Sequence, residues 1–452
     1  VTLARSLGKT TFETAQDLEA QLSHRLRLLT AEGDILALML SRMMMRLRIA
    51  PTEASDFADL MAVQGPTEPA KGPLGSLQFL ECARDWYQTA GLSDRADDMS
   101  IALAEAAVAK GIERASGASS SYMVAAHHLE KAIQQYRRTS HSYRKERALE
   151  SRLADIRRLH RDYSQRATEE FERIEGRSFD LTEIAEAAEA SVKGKEALPA
   201  LLNFIAVAPI PSAEQLTEMH RERLAEGSIA DLFGRSIITN GGRIAYKVPA
   251  LAEDSKEHVI ASHVVTSHQM YIGGLVQGAI APALRALSEE HSITKEVLYE
   301  LCTQSPAVPP GRETIFAMGL AAGFEWDFIT SSHLVIPQIE NFFRFHLKSQ
   351  GVITTSLDQD GTETEKTLSP LLDLAKDCQL IDADIELAFR ATLVDPRGSN
   401  LRNDLLHGLS EPHTANGAAG IYIWWLVLYM VLVPFWTRSS GEMDDSDSRL
   451  PP

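Results

Sequence analysis

An all-α protein with two small β-hairpins is what this sequence predicts, and three observations carry that prediction. Apolar residues recur at helical spacing, as in Leu18, Leu22, Leu26 and Leu29, then Leu36 and Leu40, the period of one buried helix face. Alternating apolar residues are confined to short stretches around two turn signals, Asn240-Gly241-Gly242 and Asp360-Gly361, and such turns favour tight hairpins. The composition, 44% hydrophobic and 24% charged over 452 residues, is that of a globular chain. At roughly 100–200 residues per domain, two or three domains are expected.

Residues 1–50 are expected to be helical. The run Ile35–Met45 is apolar, but Arg42 interrupts it and Arg46 and Arg48 follow, which predicts a buried helix. Gln64–Gly75 holds three prolines and three glycines and is expected to be a linker. Helices are predicted over Leu77–Ala90, Asp97–Arg114 and Ser121–Arg138. The stretch Ala125–Tyr136 has the Ala and Leu spacing of tetratricopeptide-like helices, without a clean 34-residue period. Lys131–Arg173 holds twelve Lys/Arg and seven Asp/Glu. A basic stripe facing RNA is one reading, and the preferred one is a solvated helix laced with charge pairs. Residues 1–226 thus form a helical N-terminal region.

A second domain is expected over 227–440. Ala230–Ala250 reads as two short strands, His258–Leu287 as a weakly polar helical segment, and Pro337–Ser349 as an amphipathic helix with Pro337 in its first turn, where no amide donor is needed. Val352–Lys366 is a second hairpin, followed by helices over Leu368–Cys378 and Asp382–Leu393. Residues 441–452 form an acidic tail expected to be disordered.

The net charge of −17 argues against tight nonspecific nucleic-acid binding, which needs a basic face. It leaves room for a local pocket that touches a few phosphates. Cys82, Cys302 and Cys378 are isolated, so reduced thiols in a cytoplasmic protein are expected and a zinc knuckle is not. Val1–Thr11 lacks the pattern of a signal peptide. Gly417–Trp436 carries no charge and approaches the length that spans a bilayer. A buried helix is the preferred reading. The alternative is a membrane anchor through Ile421–Phe435, with Trp424, Trp425 and Trp436 at the interfaces.

The segment richest in chemistry is Gly398–Gly408, GSNLRNDLLHG. Asn400 is expected to cap a short helix opening at Leu401, and Gly408 to end it. Asn403 and His407, four apart, share a face. Arg402, five before His407, starts roughly 140° away on the helix wheel, but its long side chain can swing round, so the three can converge on one anion. Such a set suits phosphodiester cleavage by a neighbouring ribose 2′-hydroxyl. An imidazole moves the proton, a guanidinium stabilises charge on the phosphorane oxygens, and an amide orients the ring or binds an oxygen. No metal or cofactor is called for, and the requirement for a 2′-hydroxyl restricts the chemistry to RNA. The bland alternative is a helix end with a satisfied histidine and a surface salt bridge.

RNDLLH, Arg402–His407, resembles the R-x4–6-H signature of the HEPN superfamily. RNDLLHG resembles the RNxxxHG hallmark of one family in it, which includes bacterial proteins and the eukaryotic endoplasmic reticulum membrane-associated RNA degradation protein. The likeness extends over about 200 residues: the hairpin before Pro249, Ile336–Leu347, the Asp360-Gly361 hairpin, Leu368–Asp373 and Asp395–Asn403. It implies a helical bundle, a homodimer pairing two motifs in one cleft, RNA as substrate, and a role in defence or stress. It also leaves room for a member that only binds RNA.

Supporting candidates are Glu340 and Arg344, four apart on one helix and able to pair beside the site, and Asp404. His127-His128, and His263 with His268, lack carboxylate or cysteine partners in a ligand pattern, so no metal site is expected. Three functions compete: a metal-independent endoribonuclease, a noncatalytic RNA-binding or protein-interaction module using the N-terminal helices, and a membrane-tethered regulator.

Overall fold

Helices dominate the computed structural model, which describes residues 9–64, 73–116, 120–171, 179–239 and 242–447. Residues 65–72 of the expected linker, 240–241 of the first turn and 448–452 of the expected tail lie outside the described residues. The chain divides into two units, Val1–Ile174 with Ile238–Arg243, and Glu175–Ile237 with Ile244–Pro452.

The first unit begins with α1 (Lys9–Ala31), α2 (Leu36–Leu47), α3 (Ala54–Gln64) and α4 (Pro73–Thr89). Their apolar stripes meet in one cluster that includes Leu26, Leu38, Met44, Phe57, Met61 and Trp86. Inside it the Trp86 indole donates to Ser41 Oγ at 2.8 Å, as a buried Trp requires. Next come α5 (Ser93–Ser116), α6 (Tyr122–Arg138), α7 (His141–Glu146) and α8 (Glu150–Ala167), joined through Val108, Leu129, Tyr136 and Leu153. Ser121 caps α6 by accepting from Val124 N at 3.3 Å. The basic stretch is laced with ion pairs: Arg152 with Glu105, Arg144 with Glu150, Arg147 with Asp98 and Arg166 with Asp162. These cations are neutralised locally, as the solvated-helix reading expects.

The second unit holds α9 (Thr182–Val192), α10 (Ala197–Ile205), α11 (Ala213–Glu226), the strands β1 (Arg235–Ile238) and β2 (Ile244–Val248), and α12 (Lys256–Leu275). A π turn, Val276–Ile280, carries α12 into α13 (Ala281–Glu290). Then follow α14 (Lys295–Gln304), α15 (Glu313–Phe324), α16 (Phe328–Ser349), strands β3 (Thr355–Leu357) and β4 (Glu363–Glu365), α17 (Leu368–Asp377), α18 (Ala383–Phe389), a second π turn Arg390–Val394, α19 (Leu401–Leu406), α20 (Pro412–Ala415) and α21 (Ala418–Asp447). β3 and β4 pair antiparallel, with Ser356 opposite Thr364, and Gly361 at φ 84° makes their turn. The architecture is all-α with two small hairpins.

α21 lies at the centre of this unit. Tyr422, Trp424, Trp425, Leu426, Leu428 and Leu432 are buried. Both indoles donate inward, Trp424 to Leu320 O at 3.0 Å and Trp425 to Phe204 O at 3.1 Å, rather than facing outward as interfacial anchors. By length and composition two helices are apolar enough to cross a membrane, Lys256–Glu290 and Ala418–Phe435.

Several details depart from the sequence reading. Pro337 does not open a helix. α16 starts at Phe328, where Asp327 Oδ1 accepts from Thr330 N at 3.0 Å, and Pro337 sits inside it. The lost amide bond is outweighed by burial of Val335, Ile336, Ile339 and Phe343 around it, since interior proline costs about 3 kcal/mol and each buried aliphatic or aromatic side chain returns about 1.5–3 kcal/mol. The helix over Asp382–Leu393 relaxes into a π turn. Residues 182–226, read as N-terminal, place Ala188, Val192, Leu201 and Phe204 in one apolar cluster with Ile272, Phe324 and Trp425. α21 is traced to Asp447, into the segment expected to be disordered.

Candidate active site

The motif helix α19 is delivered by a turn built from Asp395-Pro396-Arg397-Gly398-Ser399-Asn400. Buried Asp395 holds Arg397, with Arg397 Nη2 on Asp395 Oδ2 at 2.6 Å and the Arg397 amide on Asp395 Oδ1 at 2.8 Å. That carboxylate keeps the Arg397 guanidinium firmly protonated. The Gly398 amide closes the turn on Asp395 O at 3.0 Å. A Cβ at Gly398 would lie 1.9 Å from Ala391 O, so the turn presses directly on the second π turn and only glycine fits. Gln269 Nε2 and the Ser399 amide share that same Ala391 carbonyl at 3.0 and 3.1 Å.

Asn400 does not cap the helix with its side chain. It takes a left-handed conformation, φ 48° and ψ 26°, which Asn tolerates better than most residues. Its amide serves side chains instead: Asn400 Oδ1 accepts from Asn403 Nδ2 at 2.7 Å, and Asn400 Nδ2 donates to Asp404 Oδ1 at 3.2 Å. The other end follows expectation. Gly408 has φ 66°, its amide bonds Leu405 O at 3.1 Å, and the Leu409 amide bonds Asp404 O at 2.7 Å. This double bond pattern is the Schellman termination.

Arg402 is drawn toward α16. Its Nη2 donates to Glu340 Oε2 at 2.9 Å and its Nη1 to Asn403 Oδ1 at 3.0 Å. The Arg402 and Glu340 side chains are each 17% exposed. Glu340 also accepts from Arg344 at 3.4 Å, and Arg344 reaches Glu365 on β4 at 2.8 Å and Lys366 O at 2.9 Å. A chain of alternating charge therefore runs from α19 through α16 to the second hairpin. Arg402 Nε is buried without a partner among the described residues.

His407 stands apart. It is the C-cap of α19, it is exposed, and its ring makes no hydrogen bond among the described residues. Leu406 and Leu409 beside it are also exposed, at 50% and 59%. The structure thus joins Arg402, Asn403, Asp404, Glu340 and Arg344 in one network with Asn400, and leaves the imidazole open to solvent. The His407 backbone amide donates to Asn403 O at 3.1 Å, while the Asn403 side chain is turned to Arg402 and Asn400 rather than to the imidazole.

A second polar cluster, in the same unit, escaped the sequence reading. It gathers His220 and Arg223 of α11, Asp231, Arg235 of β1, and His263 and Ser267 of α12. Apart from Arg223 and Asp231, eight residues apart, its bonded partners lie 28 to 47 residues apart in sequence, so no helical spacing announces it. His263 and His268 part company: His263 meets this cluster, while fully buried His268 packs edge-on against Tyr422 at 6.1 Å. Burial pushes the His268 imidazole down to about 4. Among the described residues no group of three or more His, Cys, Asp or Glu is placed to hold a metal ion.

No family model, curated protein or solved structure matches the chain.

Proposed function

We propose that this chain is a metal-independent endoribonuclease of HEPN type. The observation that carries the reading is α19 itself: one six-residue helix presents a solvent-open imidazole at its end and a guanidinium anchored at its start. In this mechanism His407 moves a proton at the 2′-hydroxyl or at the leaving oxygen. Arg402 stabilises charge on the phosphorane oxygens, exchanging part of its contact with Glu340 for phosphate. Asn403 holds Arg402, and Glu340 and Arg344 hold the helix against α16. Attack by the 2′-oxygen on phosphorus breaks the bond to the 5′-oxygen, leaving a 2′,3′-cyclic phosphate and a 5′-hydroxyl.

A homodimer completes the site, placing two His407 rings in one cleft. Exposed Leu406 and Leu409, flanking the imidazole, supply an apolar rim for such a contact. The activity fits a cytoplasmic effector in defence or stress, with a protein partner on the N-terminal helices. Membrane association through Ile421–Phe435 is the alternative location.

One observation favours a second reading. Glu340 already neutralises Arg402, as in a noncatalytic RNA-binding or interaction module whose motif is a structural clamp. The test is cleavage of end-labelled RNA in excess chelator by the parent, Arg402→Ala and His407→Ala. Cyclic phosphate ends from the parent, lost in both variants, support the nuclease. RNA binding without turnover supports the module.

A further inference from the structure

The cluster around His263 has more donors than acceptors. Arg223 Nη2 lies 3.0 Å from His263 Nε2 and 3.2 Å from both Asp231 oxygens. Arg235 Nη2 lies 3.1 Å from each nitrogen of the same ring. Asp231 Oδ1 is itself 3.2 Å from His263 Nε2. One ring nitrogen therefore faces a carboxylate that wants its proton and two guanidinium groups that want its lone pair. A neutral imidazole has one N–H and one lone pair. In either tautomer, at least one guanidinium N–H is left without an acceptor.

Charge tells the same story. Two guanidinium groups face a single carboxylate, Asp231, which pairs with Arg223, and among the described residues no carboxylate lies within ion-pair distance of Arg235. Burial and the two neighbouring guanidinium groups push the His263 and His220 imidazoles down, toward the neutral form. The cluster keeps an excess positive charge in a chain whose net charge is −17. Beneath it, His220 is 6% exposed and stacks on His263 at 5.2 Å with planes 21° apart. Its Nε2 meets Ser267 Oγ at 2.8 Å, while its buried Nδ1 has no partner among the described residues. The floor is buried, and the two arginines at the mouth reach solvent, with the Arg223 side chain 45% exposed and Arg235 also exposed.

We propose that Arg223, Arg235, His263 and His220 form a binding site for a phosphate group. Two or more ionised oxygens supply the acceptors that the guanidinium forks lack, and they balance the excess charge. The site shares no residue with the Arg402–His407 network, so it does not rest on the nuclease reading. The same chemistry serves free inorganic phosphate or the terminal phosphate of a nucleotide chain.

The experiment is titration calorimetry at constant ionic strength on the full chain. One arm uses inorganic phosphate; the other uses a short RNA with either a 5′-phosphate or a 5′-hydroxyl. Phosphate binding to the parent with a Kd at or below about 1 mM is expected, weakened at least about tenfold in Arg235→Gln, with the unliganded melting temperature of that exposed-site variant checked alongside. Arg235→Lys keeps the charge, loses the fork, and is expected to fall between parent and Arg235→Gln. A preference for the 5′-phosphorylated RNA over the 5′-hydroxyl RNA, lost in Arg235→Gln, names a nucleotide terminus as the source. Equal affinity for the two RNAs, with free phosphate still bound, names the free ion. No phosphate binding in either arm up to about 10 mM, or equal affinity in parent and Arg235→Gln, overturns the proposal.

Discussion

The ion pair between Arg402 and Glu340 is open to a quantitative test. At 2.9 Å, Coulomb attraction is about 1.4 kcal/mol if bulk water screens it and about 6 kcal/mol at an effective dielectric of about 20, before desolvation is subtracted. Both side chains are 17% exposed, so water screens the pair only in part. Desolvating two nearly covered charges offsets much of the larger figure, which leaves a net coupling of about 2–3 kcal/mol. The perturbation is a double-mutant cycle of Glu340→Gln, Arg402→Gln and the pair, each unfolded by urea. Glu340→Gln alone is expected to cost more than Arg402→Gln, because it leaves the nearly covered Arg402 guanidinium without a carboxylate among the described residues, whereas Arg402→Gln leaves Glu340 still paired with Arg344. A coupling below about 0.5 kcal/mol, the range of exposed pairs, refutes the claim that Glu340 anchors the motif helix.

Two further outcomes follow from packing and burial. Gly398→Ala drives a Cβ to 1.9 Å from Ala391 O, a backbone atom with no room to yield. A loss of about 3 kcal/mol or more is expected, seen as a drop of about 6–12 °C in melting temperature, and an unchanged melt contradicts the turn described here. His268 has a folded-state pKa of about 4 against about 6.5 when unfolded. The unfolded chain thus binds the extra proton first, and stability is full above about pH 6.5 and falls as pH drops toward 4, by about 3 kcal/mol. His268→Leu should flatten that part of the stability–pH curve, and a slope equal to the parent's would place the titration elsewhere.

The fold class was legible because helical periodicity runs through most of the chain and because Asp360-Gly361 announces its hairpin. Gly408 was legible as a terminator, since its positive φ is a local requirement. Pro337 misled because a first-turn proline and an interior proline look alike in sequence; only the burial of Val335 and Ile336 on the preceding turn tells them apart. Asn400 misled for a related reason. Its amide had a choice between the helix backbone and two side chains, Asn403 and Asp404, and it took the side chains. The pairing of Glu340 with Arg344 was readable from their spacing, whereas the link from Glu340 to Arg402 spans 62 residues and no local pattern encodes it. The His263 cluster was invisible for the same reason, being assembled from two helices, a strand and the short segment that holds Asp231.

The most direct test of the nuclease reading is the single-turnover cleavage rate of an RNA oligonucleotide, compared with the same strand carrying one 2′-deoxy sugar at the cut position, for the parent and His407→Ala. The account predicts that the ribose strand is cut to a 2′,3′-cyclic phosphate, that the deoxy strand resists at that position, and that His407→Ala is slower by about 100-fold or more. Equal cutting of both strands, or an undiminished rate in His407→Ala, contradicts it.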